Sequence, residues 1–178
     1  MKDNYKKKHV TSPNFISSIY FNFIYKKIID FLDYEEKKII LDFGSGLGLL
    51  KKKIINQTKH SVINYDRINE LSEVEDWRQK KFDIIIFSQV LYLFSPHELR
   101  NLLFDLKKHN SELIIINVLS TQSLLNKIGK ILLAHADAHL GTKISPREEE
   151  DLLSSHCELI KIKNYFNVFK ILKLKFKN

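Results

Sequence analysis

The chain has 178 residues, 44% of them hydrophobic, which fits one domain built around a single core. Its apolar runs are too short to span a bilayer, and no apolar segment follows the basic stretch Met1–Lys8, so we expect a cytoplasmic protein that is not exported. Cys157 is the only cysteine, which excludes an intramolecular disulfide and a cysteine-rich metal cluster.

The formal net charge of +8 allows two interpretations. One is a polyanionic partner, either a nucleic acid or an anionic membrane surface. The other is a lysine-rich composition without a partner. Apart from short runs at Lys6–Lys8 and Lys51–Lys53, the lysines are dispersed along the chain, and this dispersal favours the second interpretation.

Hydrophobic periodicity predicts strands that alternate with helices. An amphipathic helix is expected within residues 14–34, and the strand–helix core of the domain follows over 38–119. A covering segment, which we expect to lie over the ligand site, spans 120–150, and C-terminal strands span 157–177. The individual predictions are strand Lys38–Asp42, helix Leu47–Ile55, strand Ser61–Tyr65, strand Asp83–Ser88, helix His97–Lys108, strand Leu113–Leu119, a helix from about Gln122, and strands Glu158–Lys163 and Phe166–Phe176.

This alternation predicts a single α/β domain, residues 1–178, with a mostly parallel sheet. In such sheets the ligand lies beyond the carboxyl ends of the strands. We therefore expect the functional residues in the loops that follow Leu41, Tyr65, Phe87 and Leu119.

A glycine-rich turn, Asp42–Gly48, follows the first predicted strand. Glycines suit a turn that needs positive φ and close approach of the backbone to a ligand. The dinucleotide fingerprint would require a further glycine at Leu49 or Lys51, and the phosphate-binding P-loop would require a Gly-Lys-Ser/Thr ending. Both are absent, so neither nucleotide motif describes this turn.

The pattern Asp-x-Gly-x-Gly-x-Gly from Asp42 to Gly48 resembles motif I of the class I S-adenosylmethionine-dependent methyltransferases. Two further landmarks follow in the family's order: Asp66 at the end of the second strand, and Phe82-Asp83 opening a strand that resembles the family's fourth. The resemblance covers roughly residues 38–119. It implies a Rossmann-like, doubly wound sheet with an antiparallel C-terminal strand, S-adenosylmethionine as cofactor, and methyl transfer as the activity.

The resemblance also implies the cofactor contacts. In the family, the glycine turn packs against the amino-acid part of the cofactor, and the acid that ends the second strand binds the ribose hydroxyls, since a carboxylate accepts two hydrogen bonds from a diol. The candidate cofactor-binding residues are Asp42, Gly44, Ser45, Gly46, Gly48, Asp66, Arg67, Asp76, Trp77, Ser88 and Gln89.

One stretch departs from the family pattern. Only sixteen residues lie between Asp66 and Asp83, which barely accommodate a helix, a third strand and their loops, so we expect a shortened helix there. Asp76 or Glu75 is the candidate for the adenine contact, with Trp77 offering a stacking face. The alternative is that Trp77 is a core residue flanked by surface acids.

Two sequence features of nucleic-acid methyltransferases are absent, and this narrows the class of methyl acceptor. Ser88-Gln89-Val90-Leu91 stands where methyltransferases of exocyclic base amines often carry an Asn/Asp-Pro-Pro-aromatic motif. Cys157 falls near the start of a tail strand, an implausible place for the nucleophile of pyrimidine carbon methylation.

The covering segment carries two histidines one helical turn apart, His135 and His139. They allow three interpretations: a general base for an acceptor hydroxyl, a divalent metal site with Asp137, or polar residues near a helix end terminated by Gly141. Tyr92, just beyond the fourth-strand loop, is a second candidate for contacting the acceptor. The catalytic candidates are therefore His135, His139 and Tyr92, and no metal site is assigned.

The leading hypothesis is methylation, at oxygen, of a small molecule or of a glycan- or lipid-linked precursor. The net charge makes an RNA methyltransferase one alternative hypothesis. The short stretch after Asp66 makes a non-catalytic cofactor-binding scaffold a second one. The helix from Gln122 and the aromatic N-terminal helix also leave peripheral contact with a membrane open.

Overall fold

The computed structural model describes residues 15–33, 35–121 and 141–178. The helices in this part of the chain are α1 (Phe15–Ile29), α2 (Leu49–Gln57), α3 (Pro96–His109) and α4 (Pro146–His156). The strands are β1 (Ile39–Phe43), β2 (Ser61–Tyr65), β3 (Ile84–Ser88), β4 (Ile114–Ser120), β5 (Cys157–Tyr165) and β6 (Phe169–Phe176).

The described strands form one sheet in the order β2-β1-β3-β4-β6-β5. The pairs β1–β2, β1–β3 and β3–β4 are parallel, whereas β6 runs antiparallel to both β4 and β5. This topology confirms the predicted Rossmann-like α/β sheet with an antiparallel C-terminal strand. The strand order reverses between β1 and β3, and this is where such sheets bind ligands.

Both faces of the parallel strands are buried, and this explains their continuous apolar sequences. Along β1, Leu41 and Phe43 join the core cluster beneath α3 and α4, whereas Ile40 joins the cluster beneath α1 and α2. Successive residues of a strand point to opposite faces, so both layers of core draw on the same short segment.

The predicted elements correspond to observed ones with small shifts at their ends. β2 has the predicted bounds, and β1, β3 and β4 begin one residue later than expected. α3 extends the predicted helix by one residue at each end, because Ser95 and Glu98 form a capping box and Pro96 occupies the first turn.

The prediction of a shortened helix between Asp66 and Asp83 was wrong. Two 3₁₀ turns, Asn69–Leu71 and Trp77–Gln79, occupy this stretch, and the described residues there form no strand. A regular helix between β2 and β3 would need a loop at each end as well as its own residues. The sixteen residues available are used for short turns instead.

Helix α4 was not predicted, and it takes up the end of the expected covering segment, 120–150. The helix expected from Gln122, together with His135 and His139, lies outside the described residues. None of the helices that the structure describes is both long and apolar enough to cross a membrane.

Candidate functional site

The glycine turn leaves the carboxyl end of β1 with three left-handed residues: φ is 79° at Gly44, 51° at Gly46 and 68° at Gly48. A Cβ atom on Gly44 would lie 2.7 Å from Val90 Cγ2, and one on Gly48 would lie 2.5 Å from Asn64 Nδ2. Both the backbone conformation and the available space therefore require glycine at these two positions.

Asp66 lies against this turn. Its Oδ2 accepts a hydrogen bond from the Gly46 amide at 2.9 Å, and its Oδ1 accepts one from the Ile68 amide at 3.0 Å. The Gly44 and Ser45 amides donate to the Tyr65 carbonyl at 2.8 and 3.1 Å. Because each carboxylate oxygen can accept more than one hydrogen bond, Asp66 keeps acceptor capacity for a ligand.

Asp42 is a second carboxyl at this edge, and only 2% of it is exposed. Burial, followed by the negative charge of Asp66, raises the pKa of Asp42 to about 7. Asp42 in turn helps to raise the pKa of Tyr25 on α1, although burial is the larger cause there. The two carboxyls therefore create a negative potential at the end of β1.

Several buried oxygens at this edge lack a hydrogen-bond partner among the described residues. They are Asp42 Oδ2, Ser45 Oγ and Ser88 Oγ. A buried polar atom without a partner is costly, so such atoms at a strand edge indicate a place for a ligand or for water.

The loop after β3 is tied to the N-terminal helix. Gln89 adopts a positive φ of 56°, and its Nε2 donates to the Tyr20 hydroxyl at 2.7 Å. This contact places α1 over the end of β3, next to Ser88.

Asp76 and Trp77 have structural contacts of their own. Asp76 Oδ1 accepts from the Arg78 amide at 3.0 Å and caps the turn Trp77–Gln79. Trp77 is 2% exposed and packs edge-on against Phe43 and Phe82. Trp77 is therefore packed as a core residue, as the alternative interpretation of the sequence expects. The adenine contacts predicted for Asp76 and Trp77 stay predictions.

A pocket of about 290 Å³ opens beside Asp66, whose neighbours Tyr65 and Arg67 both line it. The guanidinium of Arg67 lies 6.0 Å from the centre of the Phe94 ring. Aromatic rings and charged groups share the lining: Phe43, Tyr65, Arg67, Trp77, Arg78, Phe94, Glu98, Asn101, Leu102 and Asp105.

A buried polar pair on β4 and α4 was missed by the sequence analysis. Asn117 Nδ2 donates to Glu149 Oε1 at 2.8 Å, and the two residues are 0% and 3% exposed. Burial raises the pKa of Glu149 to about 7 against the opposing effect of this hydrogen bond. The sequence did carry a signal, because Glu149 stands at helical spacing from Leu152 and Leu153 on the inner face of α4.

Tyr92, a predicted acceptor contact, lies close to this pair. Burial, then the charges of Glu149 and Tyr20, raise the pKa of its phenol. The Tyr92 carbonyl accepts a hydrogen bond from the Lys143 amide at 2.9 Å, and this bond joins the loop after β3 to the segment that precedes α4. Tyr92 is therefore within electrostatic range of both Glu149 and Tyr20.

Cys157 begins β5 and is 2% exposed. Burial raises the pKa of its thiol to about 12, so the thiolate needed for nucleophilic attack is not formed near neutral pH.

No protein-family model matches the sequence, and no curated protein matches it. Similarity appears in the solved structures. The PH0226 protein of Pyrococcus horikoshii is 14% identical with a TM-score of 0.67, over 99% of this chain and 100% of that one. N,N-8-amino-8-demethyl-D-riboflavin dimethyltransferase (RosA) of Streptomyces davawensis is 12% identical with a TM-score of 0.65, over 90% of this chain and 56% of that one.

A third similar structure is the O-methyltransferase NcsB1 from neocarzinostatin biosynthesis, solved with S-adenosylmethionine and 2-hydroxy-5-methyl naphthoic acid. It is 13% identical with a TM-score of 0.62, over 86% of this chain and 53% of that one. The chain thus spans about half the length of these two methyltransferases. These likenesses establish that it has the fold that small-molecule methyltransferases share.

Proposed function

We propose that this chain transfers a methyl group from S-adenosylmethionine to a hydroxyl oxygen of a small-molecule acceptor, free or linked to a glycan or lipid. The observation that carries the proposal is the hydrogen bond from the Gly46 amide to Asp66 Oδ2, at 2.9 Å. It brings the carboxylate at the end of β2 to the glycine turn at the end of β1, which is the arrangement that the sequence motifs imply.

The charges at this edge fit the cofactor. S-adenosylmethionine carries a sulfonium, an ammonium and one carboxylate, so its net charge is positive. The edge offers the carboxyls of Asp42 and Asp66, close enough for one to raise the pKa of the other. An ammonium donates up to three hydrogen bonds, and the unpartnered Asp42 Oδ2, Ser45 Oγ and Ser88 Oγ are acceptors for them. Binding would therefore relieve both the repulsion and the missing hydrogen bonds.

The pocket beside Asp66 is the place for the adenine in this proposal. Its lining includes the rings of Phe43, Tyr65 and Phe94, which suit an aromatic base, and Arg67 borders the opening. Asp66 would then accept from the ribose hydroxyls between the pocket and the turn.

The cofactor supplies an electrophilic methyl group, and the protein's task is to align the acceptor oxygen with it. Gln89, held by Tyr20, and Tyr92 border the space beyond β3 where the acceptor would lie. The preference for oxygen comes from this side of the site. A hydroxyl acceptor must lose a proton, and the buried carboxyl of Glu149 is within electrostatic range of Tyr92.

Calorimetric titration with S-adenosylmethionine tests the proposal. We expect saturable binding by the natural chain and a loss of at least about tenfold in affinity for Asp66→Ala, because a charge-assisted hydrogen bond is removed. Glu112→Ala is the matched control: this carboxylate is exposed and lies just before β4, at the opposite edge of the sheet. Absence of binding by the folded natural chain, or an equal effect of both variants, contradicts the proposal.

A further inference from the structure

The pair Asn117–Glu149 is a polar group in an otherwise apolar layer. Its neighbours in the core beneath α3 and α4 include Phe87, Leu91 and Leu153, and both residues are almost entirely buried. Replacing such a pair with apolar residues is often neutral or stabilising, so its presence calls for a function other than stability.

The pair is also incompletely hydrogen-bonded. Asn117 Nδ2 donates to Glu149 Oε1, but Asn117 Oδ1 is buried without a partner among the described residues. The carboxylate and the amide oxygen are both acceptors, so the group that would complete this pair is a hydrogen-bond donor.

The position of the pair links it to the acceptor side of the proposed site. α4 runs back along the sheet, so its first turn, which contains Glu149, lies towards the carboxyl ends of β3 and β4. Tyr92, in the loop after β3, is close enough for its phenol to interact electrostatically with Glu149 and with Tyr20. Of the cofactor-binding candidates, Ser88 is the last residue of β3 and Gln89 begins the same loop as Tyr92.

From these contacts we propose that Glu149, held by Asn117, is the residue that binds the acceptor's hydroxyl and accepts its proton during transfer. This inference rests on the proposed function. The acceptor oxygen forms the new bond to the methyl carbon, the carbon–sulfur bond breaks with its electron pair going to sulfur, and the acceptor's proton passes to the Glu149 carboxylate. The acceptor class is a neutral phenol or alcohol, because a second anion beside Glu149 would be repelled.

The groups around Glu149 leave it ionisable near neutral pH. Burial is the main cause of the raised pKa of Glu149. On its own helix Glu150 also raises that pKa, but Glu150 is itself paired with Lys170 of β6 at 2.8 Å. From the loop after β3, Tyr92 interacts electrostatically with Glu149, and from β4 Asn117 donates a hydrogen bond to it. A base poised in this range can be ionised at the start of a reaction and still accept a proton.

The test uses the complex with S-adenosylhomocysteine and the fluorescent phenol 2-naphthol, whose hydroxyl stays protonated near neutral pH as in tyrosine. We expect 2-naphthol to bind more tightly as the pH rises through about 7, the pKa of Glu149. In Glu149→Gln the affinity at pH 8 should be at least about tenfold lower and independent of pH, because the charged acceptor is lost.

Asp151→Asn is the matched control, an exposed acid on the same helix, and it should behave as the natural chain. Binding of S-adenosylhomocysteine, measured first, separates the two proposals: if it fails, the proposed function fails. If it succeeds but 2-naphthol does not bind, or binds equally to the natural chain and to Glu149→Gln, only the role of Glu149 is refuted. A circular dichroism spectrum confirms that the variant is folded.

Discussion

Asp42 lies at the proposed cofactor site, and the burial of its carboxyl costs stability. Its buried carboxyl has a pKa of about 7, so it is largely ionised at pH 8 and largely neutral at pH 6. An ionised Asp42 attracts the cationic cofactor, whereas a neutral one does not. We therefore expect the affinity of the natural chain for S-adenosylmethionine to rise between pH 6 and pH 8.

Asp42→Asn should abolish this rise and bind S-adenosylmethionine more weakly at pH 8, which calorimetry at the two pH values measures. S-adenosylhomocysteine is the control ligand, since it lacks the sulfonium charge and should show a smaller dependence on pH. Equal affinity of the variant and the natural chain for S-adenosylmethionine at pH 8 would show that Asp42 does not face the cofactor.

At the scale of elements, the turn after β1 depends on glycine for two separate reasons. Gly48→Ala would force a side chain into the left-handed region and place its Cβ 2.5 Å from Asn64 Nδ2. We expect a loss of about 1–3 kcal/mol in the free energy of unfolding, measured by urea denaturation, together with weaker cofactor binding because Gly46 must shift.

Gly141→Ala is the matched control for this prediction. Its new Cβ would lie 3.4 Å from Leu93 Cδ2, an ordinary contact, and its φ is not positive. It should change the free energy of unfolding by less than about 1 kcal/mol. If Gly48→Ala is tolerated as well as Gly141→Ala, the turn is more adaptable than its geometry implies.

The sequence predicted the elements whose pattern is local. Strands with continuous apolar runs, such as Ile84–Ser88, and the glycine turn were found because one short segment carries the whole signal. Helix α4 was missed although Ser145-Pro146-Arg147-Glu148 is a capping box with proline in the first turn, which the structure shows in use. That box is a local signal for the start of the helix, and the start fixes which residues lie on its inner face.

The site was harder to predict wherever a residue's role depends on distant partners. The four consecutive acids of α4, Glu148 to Asp151, have the pattern of a solvated charged run, yet the first three have different environments. Glu148 caps the helix, Glu149 is buried against Asn117, and Glu150 pairs with Lys170. Only the packing of α4 on β4 and β6 distinguishes them, and this depends on contacts far apart in sequence.

For the whole molecule, Asp42 and Glu149 make folding stability depend on pH. Burial is the main cause that raises both pKa values to about 7, above their ordinary values near 4. The folded state therefore binds more protons than the unfolded state between about pH 4 and pH 7, and the free energy of unfolding contributed by these groups falls as the pH rises through that window.

Carboxyls in ion pairs act in the opposite direction at lower pH. Glu98, bonded to Lys143, has its pKa lowered to about 2, so its contribution is present above about pH 4.5 and is lost as the pH falls towards 2. The overall curve also contains the self-repulsion of a chain with a net charge of +8. A comparison of variants cancels both of these contributions.

The double variant Asp42→Asn/Glu149→Gln isolates the two buried carboxyls. Without ligand, its free energy of unfolding should be close to that of the natural chain at pH 4.5 and higher at pH 8, because two uncompensated buried charges are removed. Thermal and urea unfolding at both pH values measure the difference. A double variant that is equally or less stable at pH 8 would mean that other groups of the protein already neutralise these carboxyls. The cofactor and the acceptor would then have no electrostatic cost left to relieve at either end of the site.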